Sequence, residues 1–266
     1  MNRYLCIVAG QRAGTTALQS ALASTKKFCN FKEVFHTETP ESPGSFLQYA
    51  RDKDLKVADM ATYEQAIAVA NQYLTHLREL AGTSLPLLDV KLNSWHIIKP
   101  FWSYVHERPL FMNALIKEGA IFLFIRRRDL LEQIVSEQIA RSTGKWHGLE
   151  NSDVAGQISV NCANISAQAR LIVQAETFLL GCLAPSNRLL AIDYEDLYPQ
   201  GEVNPNLLRA LEARFHIELP ETLSPPIKKN VPDKRRVVAN YDDAANAVND
   251  ILKRFPRAKY SEQIQI

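Results

Sequence analysis

"YLCIVAGQRAGTT", Tyr4 to Thr16, is the stretch on which the reading of the chain turns. Its first half is an uninterrupted apolar run, the composition of a strand buried on both faces. Its second half is a turn in which Gly10 and Gly14 bracket Gln11, Arg12 and Ala13, with Thr15 and Thr16 behind them. The glycines let the backbone curl. A helix beginning at Gly14 or Thr15 presents unpaired N–H groups and the positive end of its dipole. Thr15 and Thr16 add hydroxyl donors, and Arg12 adds a permanent charge with a fork of N–H groups. A strand ending in such a turn makes a cradle for an anion, most simply a phosphate. The same pattern also fits a plain glycine-rich strand-to-helix turn with threonine as its N-cap.

Strand-like runs recur at Leu87 to Leu92, Ile121 to Ile125 and Leu189 to Tyr194, all without internal proline. Between them lie stretches with helical periodicity: after Gly14, Tyr63 to Leu80, Leu130 to Ala140, Ile158 to Leu180, Asn206 to Phe215 and Asp242 to Phe255. Short buried strands alternating with longer amphipathic helices predict an α/β fold, a parallel sheet covered by helices. In that architecture ligands bind beyond the carboxyl ends of the strands, where the Gly10–Thr16 turn falls. No linker-like stretch divides the chain, so one domain over 1–266 is expected, with "PETLSPP" near Pro220 marking a bend.

Composition narrows the function classes. The chain has 266 residues, 46% hydrophobic and 23% charged, as one globular domain with a sizeable core requires. The formal charge of +2 gives no global attraction to nucleic acid or to an anionic membrane. The basic residues are nonetheless clustered at Arg126–Arg128, at Lys228 and Lys229, and at Lys234–Arg236, either as solvated surface charge or as holders of a multiply anionic small ligand. The four cysteines, Cys6, Cys29, Cys162 and Cys182, lack metal-binding spacing and read as free thiols in a reducing cytosol. No signal-like start and no long uncharged apolar stretch is evident, so a soluble, cytoplasmic protein is expected.

The first turn approaches a nucleotide-kinase phosphate loop but fails its pattern. GxxxxGK[ST] requires a lysine before the hydroxyl residue, and here Gly14 is followed directly by Thr15. A second stretch, "IFLFIRRRDLLEQIVSEQIARSTGKWH", Ile121 to His147, delivers three arginines at the end of another strand and then enters an amphipathic helix. A ligand with two separated anionic groups suits two such strand ends.

At this point the sequence resembles sulfotransferases that use 3′-phosphoadenosine 5′-phosphosulfate (PAPS). "GQRAGTT" is similar to their 5′-phosphosulfate loop, and Arg128 followed by Ser136 to their 3′-phosphate motif. The continuation "QIARSTGKWH", with "NFKEVF" (Asn30 to Phe35), "DVKLN" (Asp89 to Asn93), "IDYEDL" (Ile192 to Leu197) and "KKNVPDKRRVVANYDD" (Lys228 to Asp243), resembles bacterial carbohydrate sulfotransferases of the trehalose and Nod-factor types. These pieces span most of the chain in family order. The resemblance implies a P-loop-like three-layer fold, a central parallel sheet flanked by helices. It also implies transfer of a sulfuryl group from PAPS to a hydroxyl of a carbohydrate or glycolipid acceptor, with release of adenosine 3′,5′-bisphosphate.

The cofactor-binding residues implied are Gly10, Gln11, Arg12, Ala13, Gly14, Thr15, Thr16, Arg127, Arg128, Ser136, Lys229 and Asn230. Arg127 and Arg128 remain alternatives, because the family arginine is ambiguous by one residue in this run. In a continuous helix Arg128 and Ser136 would differ by roughly 80° and about 12 Å of rise, so Arg128 has to reach from the loop. Ala13 departs from the serine or threonine of many members and loses one hydroxyl.

Arg12, the helix start and Lys91 are placed to stabilise charge on the leaving oxygen. No metal ligand set is evident, and none is required. For the general base, "NFKEVF" matches the segment in which the trehalose-type enzymes carry a catalytic glutamate, here Glu33, flanked by Phe31, Val34 and Phe35, which would desolvate it. His96, just beyond a strand end, is the alternative base, and His36 a third candidate. Trp146 either shapes a pocket or packs under a helix end. The aromatic-rich stretch Ser94 to Phe111 is either a sugar-stacking wall or a packed subdomain. Segments 94–118 and 200–240 are expected to cover the acceptor and cofactor. A homodimer is implied by the trehalose-type relatives only. A nucleotide or sugar kinase and a non-catalytic nucleotide-binding domain are the competing classes.

Overall fold

In the computed structural model, which describes residues 3–36, 42–99, 107–144, 158–226, 234–260 and 266, each apolar run becomes a buried strand. β1 (Leu5–Ala9), β2 (Phe28–Glu33), β3 (Leu85–Lys91), β4 (Ile121–Arg126) and β5 (Leu189–Asp193) form one sheet in the order β2-β3-β1-β4-β5. All neighbours are parallel. β1 is central, with Leu5 opposite Leu87 of β3 and Ile121 of β4.

The helices are α1 (Thr15–Ser24), α2 (Phe46–Asp52), α3 (Tyr63–Ala81), α4 (Leu110–Lys117), α5 (Leu130–Thr143), α6 (Cys162–Leu183), α7 (Tyr194–Leu197), α8 (Pro205–Phe215), α9 (Lys234–Val237) and α10 (Tyr241–Arg254). α3 shows the local logic. Thr62 and Gln65 close a capping box, buried residues fall at 66, 69, 70, 73, 74 and 77, and Gly82 ends the helix at φ 59°.

Alternation along the strands splits the core into two layers. Cys6, Val8, Leu88, Val90, Phe122 and Phe124 pack with Tyr73 and Leu77 of α3 and Phe111 of α4. Leu5, Ile7, Leu123 and Ile192 pack on the opposite face with Leu18 and Leu22 of α1 and Leu207 and Leu211 of α8. Each fully buried Leu or Phe contributes about 2 kcal/mol of transfer free energy. A third cluster joins α5, α6 and α10 through Ile134, Val173 and Val248. The result is the expected α/β arrangement, a parallel sheet between helical layers.

β2 departs from the sequence reading, which has no strand there. Only Phe28 and Phe31 are fully buried along it, Lys32 adopts φ 57°, and the pairing with β3 shifts register between Asn30 and Glu33. An edge strand with polar residues on its open side lacks the continuous apolar signature. α6 starts later than Ile158, because Ile158 pairs with Val238 and the Asn161 side chain caps the helix by accepting from Asn164 N. Trp95 and Phe111 of the aromatic stretch are core residues, with ring centroids 6.4 Å apart. Among the described residues no helix is long and apolar enough to cross a membrane.

Candidate anion-binding and catalytic site

The chain passes from β3 to β4 across β1, so the crevice where the winding changes direction opens at the carboxyl end of β1. Gly14 stands at φ 74° before α1, no side chain caps that helix, and no acidic residue occupies its first turn. The first N–H groups of α1 therefore face the loop without a built-in carboxylate. The loop is packed too closely for larger residues. A Cβ on Gly14 would lie 2.3 Å from the Tyr194 ring, and one on Gly10 would lie 2.4 Å from Gln133 Nε2. That same Gln133 nitrogen donates to Gln11 O at 2.8 Å, fixing the turn from α5.

Arg12 adopts φ 62°, a left-handed conformation that costs a non-glycine residue about 1–2 kcal/mol. Contacts from the β4 turn and from α5 hold it: Arg127 Nη1 donates to Arg12 O at 3.5 Å, and Arg12 Nε donates to Ser136 Oγ at 3.3 Å. Ala13 points the other way, 1% exposed, into the apolar cluster of α1 and β4. Its methyl is a packing group, which accounts for the departure from serine or threonine at this position.

On the β3 side, a buried carboxylate organises the site. Asp89 Oδ2 accepts from Thr15 Oγ1 at 2.6 Å, from Gln19 Nε2 at 2.5 Å and from Lys91 Nζ at 2.7 Å. Lys91 Nζ also donates to Thr15 Oγ1 at 2.8 Å and lies 3.5 Å from Glu33 Oε1. Gln11 Nε2 donates to Glu33 Oε2 at 3.3 Å. Glu33, half-buried at the end of β2, is thus joined to both the anion loop and Lys91. The Thr15 hydroxyl is committed to Asp89, so Thr15 meets the cradle through its backbone, whereas Thr16 is exposed.

On the β4 side, three consecutive arginines take three environments. Arg126 pairs with Asp193 at 3.1 Å and stacks over Tyr260 at 4.1 Å. Arg127 is buried, lies over the Tyr194 ring at 5.1 Å and contacts Glu132 at 3.3 Å. Arg128 is 52% exposed and pairs with Asp196 at 2.6 Å, with Asp193 and Glu195 each 3.6 Å away. The structure thus brings Arg127 and Ser136 to the first loop and turns Arg128 toward α7. Lys234 and Tyr241 also converge on Glu132, linking α9 and α10 to this loop.

The electrostatics favour a bound anion. Burial, reinforced by the neighbouring Arg127 charge, pulls Arg12 below the ordinary arginine value. Arg127 Nε is buried without an acceptor, an orphaned donor inside the cradle. A phosphate or phosphosulfate group fits these residues, since it would relieve the repulsion between Arg12 and Arg127 and accept from the orphaned Arg127 Nε. His96 has Lys99 and Glu107 as charged neighbours, and burial lowers its pKa. Lys229, Asn230 and Trp146 lie outside the described residues. Among the described residues no group of His, Cys, Asp and Glu side chains is arranged to hold a metal ion.

Sequence reasoning did not single out Asp89, Gln133, Tyr194 or Glu132. Asp89 did leave a signal: a lone carboxylate two residues before a lysine, inside an otherwise apolar strand, has to be paired with it on the same face.

Fold and loops together define a class, α/β proteins with a glycine turn and an arginine turn beyond the carboxyl ends of neighbouring central strands. Residues 4–176 match the Stf0 sulphotransferase family. The chain belongs to that family, and it is a sulfotransferase. Two solved structures are similar at low identity. The sulfotransferase domain from the Synechococcus PCC 7002 olefin synthase is 14% identical, with 94% of each chain covered and a TM-score of 0.49. Sulfotransferase STF1 from Mycobacterium tuberculosis H37Rv is 13% identical, with 96% of this chain and 77% of that one covered and a TM-score of 0.45. No curated protein matches the chain.

Proposed function

We propose that the protein transfers a sulfuryl group from PAPS to a hydroxyl of a carbohydrate or glycolipid acceptor, by in-line displacement. When bound, PAPS supplies the sulfuryl group and a bisphosphate leaving group. The observation that carries this reading is the link from Gln11 through Glu33 to Lys91, which ties a carboxylate base to the anion loop within hydrogen-bond distance.

Each side chain then has a task. The loop amides and Arg12 hold the phosphosulfate end, with charge aimed where the leaving oxygen develops it. Arg127 reaches the second anionic group from the β4 turn. Lys91, fixed by Asp89 and Thr15, adds a cation that comes from β3 instead of from the loop itself. Glu33 takes the acceptor proton on its carboxylate, with Gln11 and Lys91 fixing its orientation. Glu33 is favoured as the base because Gln11 of the loop donates to its carboxylate and Lys91 lies beside it. The four free cysteines agree with a reducing, cytoplasmic setting.

Titration calorimetry tests the donor. Adenosine 3′,5′-bisphosphate is expected to bind at least about tenfold more tightly than ATP, a difference of about 1.4 kcal/mol. Preferential binding of ATP overturns the donor assignment.

A further inference from the structure

The arginine turn is held from behind by a segment outside the family match. After α10 the chain crosses the carboxyl end of β4, and Arg126 Nη1 donates to Ala258 O at 2.7 Å. Arg257 sits in this crossing. Its Nε and Nη2 bind the two oxygens of Glu176 at 2.9 and 2.5 Å, a bidentate pair. Its Nη1 donates to the carbonyls of Arg127 at 2.5 Å and Arg128 at 3.2 Å. Glu176, in α6, is itself buried, with burial raising its pKa and the Arg257 charge opposing that rise. One guanidinium thus ties a helix, the C-terminal crossing and two consecutive carbonyls of the arginine turn together.

The geometry points to Arg257 as a positioning residue for the bisphosphate site, with Glu176 as its anchor. The turn after β4 has to send Arg127 inward, onto Arg12 O and Tyr194, and Arg128 outward, onto Asp193, Glu195 and Asp196. Pinning both carbonyls fixes the peptide planes that decide this split. From the other side, Glu195 accepts the N–H groups of Arg128 and Asp129 at 2.9 and 3.3 Å. The turn is therefore clamped between a cation on its carbonyls and a carboxylate on its amides. Arg257 touches no ligand in this account. It acts through Arg127, and the C-terminal crossing becomes part of the anion site.

The inference rests on Arg127 as a ligand of the bisphosphate, and two readouts separate its failure from failure of that assignment. Hydrogen exchange on the ligand-free protein requires no cofactor. In Arg257→Lys, which keeps a charge opposite Glu176 but loses the fork, exchange of the amides of 126–130 is expected to rise at least about tenfold while thermal stability changes little. Unchanged exchange there overturns the inference, whatever the ligand. Calorimetry with adenosine 3′,5′-bisphosphate then compares Arg257→Lys, Arg127→Gln and the double variant. Misplacing a binding group by about an ångström is expected to weaken binding about tenfold or more in Arg257→Lys, with KM for the donor raised more than kcat is lowered. On the Arg127→Gln background the same change is expected to add less than about twofold, because both act through one group. Additive effects, or unaltered affinity in Arg257→Lys, contradict the positioning role. Should Arg127→Gln leave bisphosphate binding unchanged while exchange still rises, the clamp on the turn stands and its role in this site does not.

Discussion

The two flanks of the central strand handle charge in opposite ways. Beside β3, Asp89, Lys91, Thr15 and Gln19 form a buried network that meets at a single carboxylate oxygen, with Glu33 attached at its rim. Beside β4, Arg126, Arg127 and Arg128 differ in nothing but position, and each has a different partner set. The first flank fixes a buried lysine between Asp89 and Thr15 and leaves it little freedom. The second pairs Arg126 with Asp193, lays the buried Arg127 over Tyr194 beside Arg12, and turns the exposed Arg128 onto Asp196. A charge run in sequence is therefore not one functional unit: the direction of each side chain, set by strand and turn, decides its use.

The sharpest break in this comparison is at Glu33. Glu33→Gln keeps the hydrogen-bonding shape and removes the carboxylate proposed as base, so kcat is expected to fall about 10²- to 10⁴-fold while bisphosphate affinity changes less than about threefold. Steady-state turnover together with calorimetry reads both. If His96→Ala shows the larger loss in kcat, the base belongs to the other strand end.

Next in size is the contrast between neighbours. Arg127→Gln removes a buried cation facing Arg12 and is expected to weaken bisphosphate binding about tenfold or more, whereas Arg128→Gln, exposed and paired with Asp196, should cost less than about threefold. Calorimetry on the two variants decides between them, and equal losses would show that Arg128 also reaches the ligand.

The smallest expected effect is one of pH. Burial alone would raise the pKa of Glu195, but hydrogen bonds from the Arg128 and Asp129 amides and the Arg127 charge outweigh it and hold the group below the ordinary value of 4.5. A lowered carboxylate adds stability that is fully present above that value and is lost as pH falls through the lower, folded-state value. Thermal unfolding below pH 4.5 should therefore fall more steeply in the wild type than in Glu195→Gln; parallel curves would remove Glu195 as a clamp on the turn.

The strands β1, β3, β4 and β5 were legible because parallel strands buried on both faces leave continuous apolar runs. β2 was not, because its open edge carries Asn30, Lys32 and Glu33 among buried phenylalanines. The Gly10–Thr16 segment was legible as a strand-to-helix turn, since glycine spacing at a strand end is a local signal. What sequence spacing could not give was orientation. Ser136 meets Arg12 and not Arg128, Ala13 faces the core, and the Thr15 hydroxyl serves Asp89. Each of these depends on contacts between residues 74 or more positions apart, or on which way one Cβ points, and neither is written in a local pattern. Arg257 is the extreme case, lying 130 positions from the carbonyl it holds.

The central claim is that the cradle reads a phosphosulfate donor. Its most direct test incubates the wild-type protein with a panel of carbohydrate and glycolipid acceptors and either radiolabelled PAPS or γ-labelled ATP. The account predicts label transferred to an acceptor hydroxyl from PAPS and none from ATP; transfer from ATP, with none from PAPS, would contradict it.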